Sequence, residues 1–244
     1  MFSFFIHSDN ILDDKILLTD EITHHLEVIR IQSNEKILFI DENQIEYLCE
    51  FNNFNSIKIL EKKQNTNESN IKISLFQSIP KSDKFEFIIQ KSVELGVFDI
   101  YPVNSQYCIS KIKNDKKFDR FNKISESAAK QSKRGIIPKI HNDISFNDAI
   151  NIAKNYDLIL ICYENENSNL KNELKKLLSN KIKNIAVFIG PEGGYSNNEI
   201  LLFKQNEFKI ISLGKRILRT ETASLNILSI LTYEFDGGFN DLSW

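Results

Sequence analysis

The chain is poor in cysteine. Cys49, Cys108 and Cys162 are odd in number and far apart, with no C-x-x-C pair. That pattern argues against both a disulfide framework and a zinc site. Charge of one sign is lacking too: the formal net charge is −2, so nothing in the composition indicates a bulk polyanion binder. Any nucleic-acid contact must come from a local basic patch on a nearly neutral body. No apolar run approaches the roughly 20 residues of a membrane helix. The opening MFSFFIHSDN has neither the basic start nor the long apolar stretch of a signal peptide. These absences predict a soluble, cytoplasmic protein. What remains is ordinary globular composition, 41% hydrophobic and 26% charged over 244 residues, enough for one large domain or two smaller ones.

Glycine and proline are also scarce, with eight and four residues in the whole chain. Four of them, Gly190, Pro191, Gly193 and Gly194, stand together around Glu192. Before them Ile185 to Ile189 form a wholly apolar run of strand length, as expected for a strand covered on both faces. After them Ser196 and Glu199 match the S-x-x-E capping box that opens a helix. Strand, glycine turn and capped helix make the place where an α/β protein holds a small ligand. Gly193 and Gly194 can take positive φ and let a ligand touch bare backbone. A second loop of this kind is SLGKRILRTETASLNIL: Leu213 ends a strand, Gly214 permits a turn, and Thr220 or Thr222 can cap a helix. Neither loop contains G-x-G-x-x-G or the Walker motif, so a Rossmann or P-loop reading lacks its diagnostic residues.

The first 64 residues read mostly as short strands, at FSFFI, EKILFID, IEYLCEF and SIKILEK, with one helix between Thr19 and Ile31 for which Asp20 is the candidate N-cap. This predicts a small barrel with a short helix. His24 and His25 lie on that helix without a second ligand cluster to complete a metal site. The polar stretch QNTNESN, Gln64 to Asn70, is the best linker candidate. Beyond it strands alternate with helices: IKISLFQSI, a helix between Ser82 and Gly96, DIYPV, a helix from Asp119 to Arg134, SFNDAINIAKN, DLILIC, NLKNELKKLLSN, the apolar run before Gly190, FKIISL and TETASLNILSILTYEF. That alternation predicts a parallel sheet with helices on both faces. Lys111, Lys113, Lys116, Lys117, Arg120 and Lys123 read as a solvated face, with phosphate binding as the alternative. Cys49 and Cys162 lie in strand-like runs, as packing residues do.

Taken together, GPEGGYSNNEI and SLGKRILRTETA resemble the SPOUT methyltransferases, and most closely the ribosomal small subunit methyltransferase E family. The likeness extends to PKSDKFEFIIQKSVELGVFDIYPV, AAKQSKRGIIP and HHLEVIRI, five ordered blocks spanning both parts of the chain. One departure is Lys130, where the family usually has an acidic residue. The resemblance implies an α/β fold with a SPOUT-type, trefoil-knotted parallel sheet flanked by helices at 71–244, after a PUA-like RNA-binding β-barrel at 1–68. It implies a homodimer that methylates N3 of a uridine in 16S ribosomal RNA, with S-adenosylmethionine as cofactor and no metal. The cofactor would lie against Cys162 and Tyr163, the turn Gly190, Pro191, Glu192, Gly193 and Gly194, and Leu213, Gly214, Ile217, Leu218, Thr222 and Ala223. Arg134 is the candidate for charge stabilisation at the reacting base; Glu221 is the first candidate for proton acceptor and Glu192 the second. Arg30, Lys81, Gln131, Arg134 and Arg219 are the candidate RNA contacts. The apolar face of the last helix, with Leu225, Leu228 and Leu231, is the candidate dimer contact.

Overall fold

The computed structural model describes residues 1–13, 15–81, 84–112, 115–166, 170 and 182–235. Ser82, Lys113 and all of the expected helix NLKNELKKLLSN except Leu170 lie outside them. The chain divides into two compact units, Met1–Glu68 with Ala129–Ile137, and Ser69–Ala128 with Pro138–Trp244.

The first unit is a six-stranded sheet with one α-helix. Its strands are β1 (Phe2–Phe5), β2 (Ile11–Leu12), β3 (Lys15–Ile16), β4 (Glu35–Ile40), β5 (Ile45–Asn53) and β6 (Ser56–Gln64), in the order β1-β4-β5-β6-β3-β2. β1 runs parallel to β4 and the other pairs are antiparallel. The sheet ends at β1 and β2 and does not close among the described residues; it is an open half-barrel where the sequence suggested a barrel. Its core is made by Phe4, Ile37, Phe39, Cys49 and Ile57 of the strands with Ile22 and Leu26 of α1 (Asp20–Val28). The N-cap of α1 is Thr19, one residue before the expected Asp20, because the Thr19 hydroxyl accepts the Ile22 N–H at 3.3 Å. His25 meets the Phe4 ring edge-on at 5.2 Å. Burial pushes the Cys49 thiol up to about 12, as expected of a packing residue.

The stretch read as a linker contains the boundary between the two units, at Glu68 and Ser69, and its first residues are built into the first unit. Asn65 is buried and donates to Glu46 at 2.6 Å, and Asn67 donates to the Lys133 carbonyl at 2.8 Å. Glu68 accepts two hydrogen bonds from Arg134, Nε to Oε1 at 2.8 Å and Nη2 to Oε2 at 2.7 Å, and a third from the Gly135 N–H at 2.8 Å. Arg134 is only 4% exposed. Polar residues here satisfy one another inside the unit, which a composition-based reading of a linker cannot foresee.

The second unit is a wholly parallel sheet. Its strands are β7 (Lys72–Ser78), β8 (Asp99–Asn104), β9 (Lys139–Ile140), β10 (Ile144–Ser145), β11 (Leu158–Cys162), β12 (Asn184–Ile189) and β13 (Lys209–Ile211). The order is β10-β8-β7-β12-β11-β13, with β9 also on β8. The described helices are α2 (Lys84–Glu94), α3 (Asp115–Gln131), α4 (Phe146–Ala153), α5 (Asn197–Gln205) and α6 (Thr220–Phe235). Burial on both faces puts β7 and β12 in the centre: Leu75, Phe76, Val187 and Phe188 are fully buried. Phe76 stacks on Tyr101 and Phe188, each with ring centroids 4.6 Å apart.

The helix ends follow from their residues. Gly96 sits at φ +88°, its N–H on the Val93 carbonyl and the Val97 N–H on that of Ser92, the paired bonds of a Schellman stop. The Ser196–Glu199 capping box at α5 forms in both directions. Helix α3 ends at Gln131, three residues before the expected Arg134, because Lys133 turns to φ +56°. Arg120 on its outer face pairs with Glu86 at 2.7 Å. On α6, Leu228 and Leu231 are fully buried against their own unit and only Leu225 is partly exposed. Leu228 and Leu231 are therefore core residues, and the dimer contact expected of them is corrected.

Removing Glu68 takes a two-point carboxylate partner from a guanidinium that is almost fully buried. Glu68→Ala should destabilise the protein by about 3 kcal/mol in urea denaturation. The double replacement Glu68→Leu with Arg134→Met should lose clearly less than the sum of the two single changes.

Candidate active site

Three parallel strands end level with one another. Cys162 at the end of β11 is in register with Ile189 of β12 on one side and Ile211 of β13 on the other. The three loops that follow therefore emerge side by side, beyond the carboxyl edge where open α/β sheets bind ligands. They enclose a cavity of about 500 Å³, within the usual range for a small-molecule site. Its walls are Cys162, Tyr163 and Glu164 from the first loop, 189–195 from the second, and 212–214 with 216–220 and Ala223 from the third.

A buried amide sets the position of two of these loops. Gln77, fully buried at the end of β7, donates through Nε2 to the Thr220 hydroxyl at 2.9 Å. Thr220 Oγ1 in turn donates to the Gly190 carbonyl at 2.7 Å. The Ser224 hydroxyl lies 2.5 Å from Gln77 Oε1 and 2.9 Å from the Thr220 carbonyl. Gln77 thus binds the first turn of α6 to the glycine turn. Within that turn the glycines differ. Gly194 alone has positive φ, +68°, and a Cβ there would meet Glu164 Oε1 at 3.0 Å. Gly193 has no positive φ; a Cβ there would press on Tyr107 Cβ at 3.1 Å. Gly190 leaves room for the Tyr195 ring, 3.3 Å from where its Cβ would be.

The charged part of the wall centres on Lys84, a residue that composition and spacing did not single out. Its Nζ lies 3.3 Å from Glu192 Oε1 and 3.4 Å from Glu221 Oε2. The hydrogen bond to Glu192, reinforced by Glu221, raises the pKa of Lys84, so it stays an ammonium. For Glu192, burial alone would raise the carboxyl. Its own N–H, the Lys81 N–H at 3.1 Å and the Lys84 ammonium outweigh that and hold it below the ordinary carboxylate value. The only hint of Lys84 in the sequence was its place in the block PKSDKFEF. Gln77, equally unsuspected, carries no signal, because buried amides are read from partners and not from sequence spacing.

All the expected cofactor residues line the cavity except Thr222, which is exposed on α6. Arg219 lines it as well, with Arg216. Glu221 is not in the wall; Lys84 is, and Glu221 reaches it through the ion pair. Lys81 is exposed, its N–H on Glu192. Arg30, Gln131 and Arg134 belong to the first unit: Arg30 is exposed at φ +54° after α1, Gln131 is exposed at the end of α3, and Arg134 is held by Glu68. Lys130, the departure noted above, places its ammonium 5.4 Å over the Phe4 ring.

The wall suits a ligand with apolar and polar parts. Ile189, Leu213, Leu218 and Ala223 offer apolar surface, and the backbone lies bare at three glycines of one turn. The Tyr195 hydroxyl in the wall is buried without a well-formed hydrogen bond, and burial pushes its pKa well up, so it remains a neutral donor. Among the described residues no group of three His, Cys, Asp or Glu side chains is arranged to hold a metal.

Thr220→Val keeps shape but removes both hydrogen bonds of the hydroxyl. It should cost about 1–2 kcal/mol, seen as a melting point lower by roughly 2–8 °C. Thr220→Ser, which keeps the hydroxyl, should stay near the wild type.

Comparison with known proteins agrees with this geometry. The RNA methyltransferase domain profile matches residues 67–232. The ribosomal RNA small subunit methyltransferase E of Mesomycoplasma hyopneumoniae is 35% identical, over 94% of this chain and 98% of its own. That of Bacillus subtilis is 30% identical over 89% of each chain. The crystal structure of the Neisseria gonorrhoeae enzyme of the same name, bound to S-adenosyl methionine, superposes with a TM-score of 0.83 at 31% identity, covering 96% of this chain and 97% of that one. With a domain profile over two thirds of its length and end-to-end relatives, the chain belongs to the ribosomal RNA small subunit methyltransferase E family.

Proposed function

We propose that the protein is an S-adenosylmethionine-dependent methyltransferase acting on N3 of a uridine in 16S ribosomal RNA of the small subunit. The observation that carries this reading is the cavity at the three level strand ends, lined by all but Thr222 of the residues the family resemblance assigns to the cofactor. The adenosyl part would lie against Ile189, Leu213, Leu218 and Ala223, and its polar edges would meet the backbone of the glycine turn. Bound there, the cofactor would supply an already activated methyl group. This chain's residues then have to position the base and manage one proton. Uridine N3 is a poor nucleophile until its hydrogen leaves, and its loss spreads negative charge over N3 and the flanking carbonyl oxygens. Lys84, a fixed ammonium in the wall, is the cation for that charge. Glu221, beside Lys84, is the first candidate for proton acceptor, and Glu192, which lies in the wall itself, the second. Arg134, first assigned the cationic part, has its guanidinium committed to Glu68; its part is to hold Ala129–Ile137 within the first unit.

The first unit, with residues 1–68 as its main part, is the PUA-like RNA-binding domain in this reading, and residues 71–244 form the knotted SPOUT domain. Exposed Arg30 and Gln131 in the first unit, and Lys81 and Arg219 in the second, are its RNA contacts. A knotted crossing is supported by the path of the chain. It leaves β13 at the sheet edge, passes the ends of β11 and β12, and enters α6, which packs on α2, β7 and β12. The active unit is a homodimer, joined through exposed apolar side chains such as Tyr233 and the partly exposed Leu225, in place of Leu228 and Leu231. No helix among the described residues is long and apolar enough to cross a membrane, and a ribosomal RNA substrate assigns the protein to the cytoplasm.

Single-turnover transfer from labelled S-adenosylmethionine to small-subunit RNA, followed by mapping of the methylated nucleotide, tests the reading. Lys84→Met and Glu221→Gln should each lower the rate at saturating RNA by roughly 10²–10³, with both variants folded by circular dichroism. Methylation at a position other than uridine N3, or unchanged rates in both variants, would refute it.

A further inference from the structure

Tyr107 lies on the loop after β8 with 47% of its surface exposed, yet the residues on either side of it are anchored. The Gln106 N–H donates to Glu199 Oε1 at 2.8 Å, while Glu199 Oε2 accepts the Ser196 N–H at 2.8 Å in the capping box of α5. One buried carboxylate thereby fixes both the start of α5 and the Tyr107 loop. The Cys108 N–H donates to the Ser105 carbonyl at 3.1 Å, and Cys108 Sγ lies 3.1 Å from Ser105 Oγ. The loop is a closed turn anchored at two points, with the aromatic ring at its tip.

The ring is placed beside the cavity. The position a Gly193 Cβ would take lies 3.1 Å from Tyr107 Cβ and 3.6 Å from its Cγ. Gly193 is itself part of the cavity wall, so one residue separates the tyrosine from the site. Gly193 does not need glycine for its φ; the missing side chain makes room for Tyr107. An aromatic half exposed to water on a loop anchored by a carboxylate, with its neighbour cut back to glycine, is placed to offer its ring to a ligand beside the cavity.

We propose that Tyr107 is the platform on which the substrate base stacks while its Watson–Crick edge is turned to the cavity. This rests on the reading of the site as a uridine N3-methyltransferase. N3 lies on the edge that pairs, so the base must be unpaired and taken out of its stack before it can react. An aromatic face replaces part of the stacking lost, and does so without sequence preference. With only two side-chain torsions, a tyrosine gives up little freedom in doing so.

The test uses the full-length protein, labelled S-adenosylmethionine and small-subunit RNA. Tyr107→Ala should lower kcat/KM for RNA by roughly 10- to 100-fold, the range of a lost base–aromatic contact, with cofactor affinity unchanged by calorimetry. Tyr107→Phe should stay within about threefold of the wild type, since the ring is kept. Gly193→Ala should lower kcat/KM by displacing the ring, and add little on top of Tyr107→Ala, as expected for coupled neighbours. A Tyr107→Ala enzyme as active as the wild type overturns the platform alone. So does a Phe variant as weak as the Ala variant, or a loss confined to cofactor affinity. No transfer to RNA by the wild type would overturn the underlying reading and the platform with it.

Discussion

The carboxyl edge of the parallel sheet depends on one buried side-chain amide. Apolar packing holds α6 against β7 and β12, but that attraction has no direction and would tolerate sliding. The Gln77 amide removes the freedom. It is fully buried, and its oxygen and both donors' neighbourhood are taken up by Ser224, Thr220 and the Ser78 carbonyl. Because Thr220 passes the connection on to the Gly190 carbonyl, helix, strand and glycine turn share a single network. A satisfied polar network of this kind in a low-dielectric interior specifies one arrangement, where a methylene would permit several.

The wall of the cavity has a second organising element in Lys84. One ammonium faces two carboxylates from two different elements, Glu192 from the glycine turn and Glu221 from the first turn of α6. A lysine between two acids is held in place by both, so its flexible stem is ordered before any ligand arrives. Arg216 and Arg219 add positive charge elsewhere in the wall, so the cavity presents both signs at fixed positions. That suits a zwitterionic ligand and an anionic polymer better than it suits either alone.

Sequence patterns showed much of the second unit. Apolar runs of strand length at β11 and β12 marked interior strands, and Gly96 and the Ser196–Glu199 pair mark helix ends by their own chemistry. The glycine turn stood out because glycine is rare here. The misreadings share one physical cause. Leu228 and Leu231 looked like a free apolar stripe, but periodicity gives a face without saying what covers it. Asn65 and Glu68 looked like linker, and Arg134 like a cation for the reacting base, because polarity does not reveal a partner 66 residues away. Lys84, Gln77 and Tyr107 share that blindness: each is defined by what it touches across the fold.

The Glu68–Arg134 pair also bears on how the protein comes into being. Glu68 emerges from the ribosome 66 residues before Arg134, and domains tend to fold as they appear. The strands of the first unit can pair early, but their carboxylate at residue 68 has no cation to receive until the chain has been made past its midpoint. Although it comes first in the chain, the first unit is thus finished by residues belonging to a later stretch of synthesis.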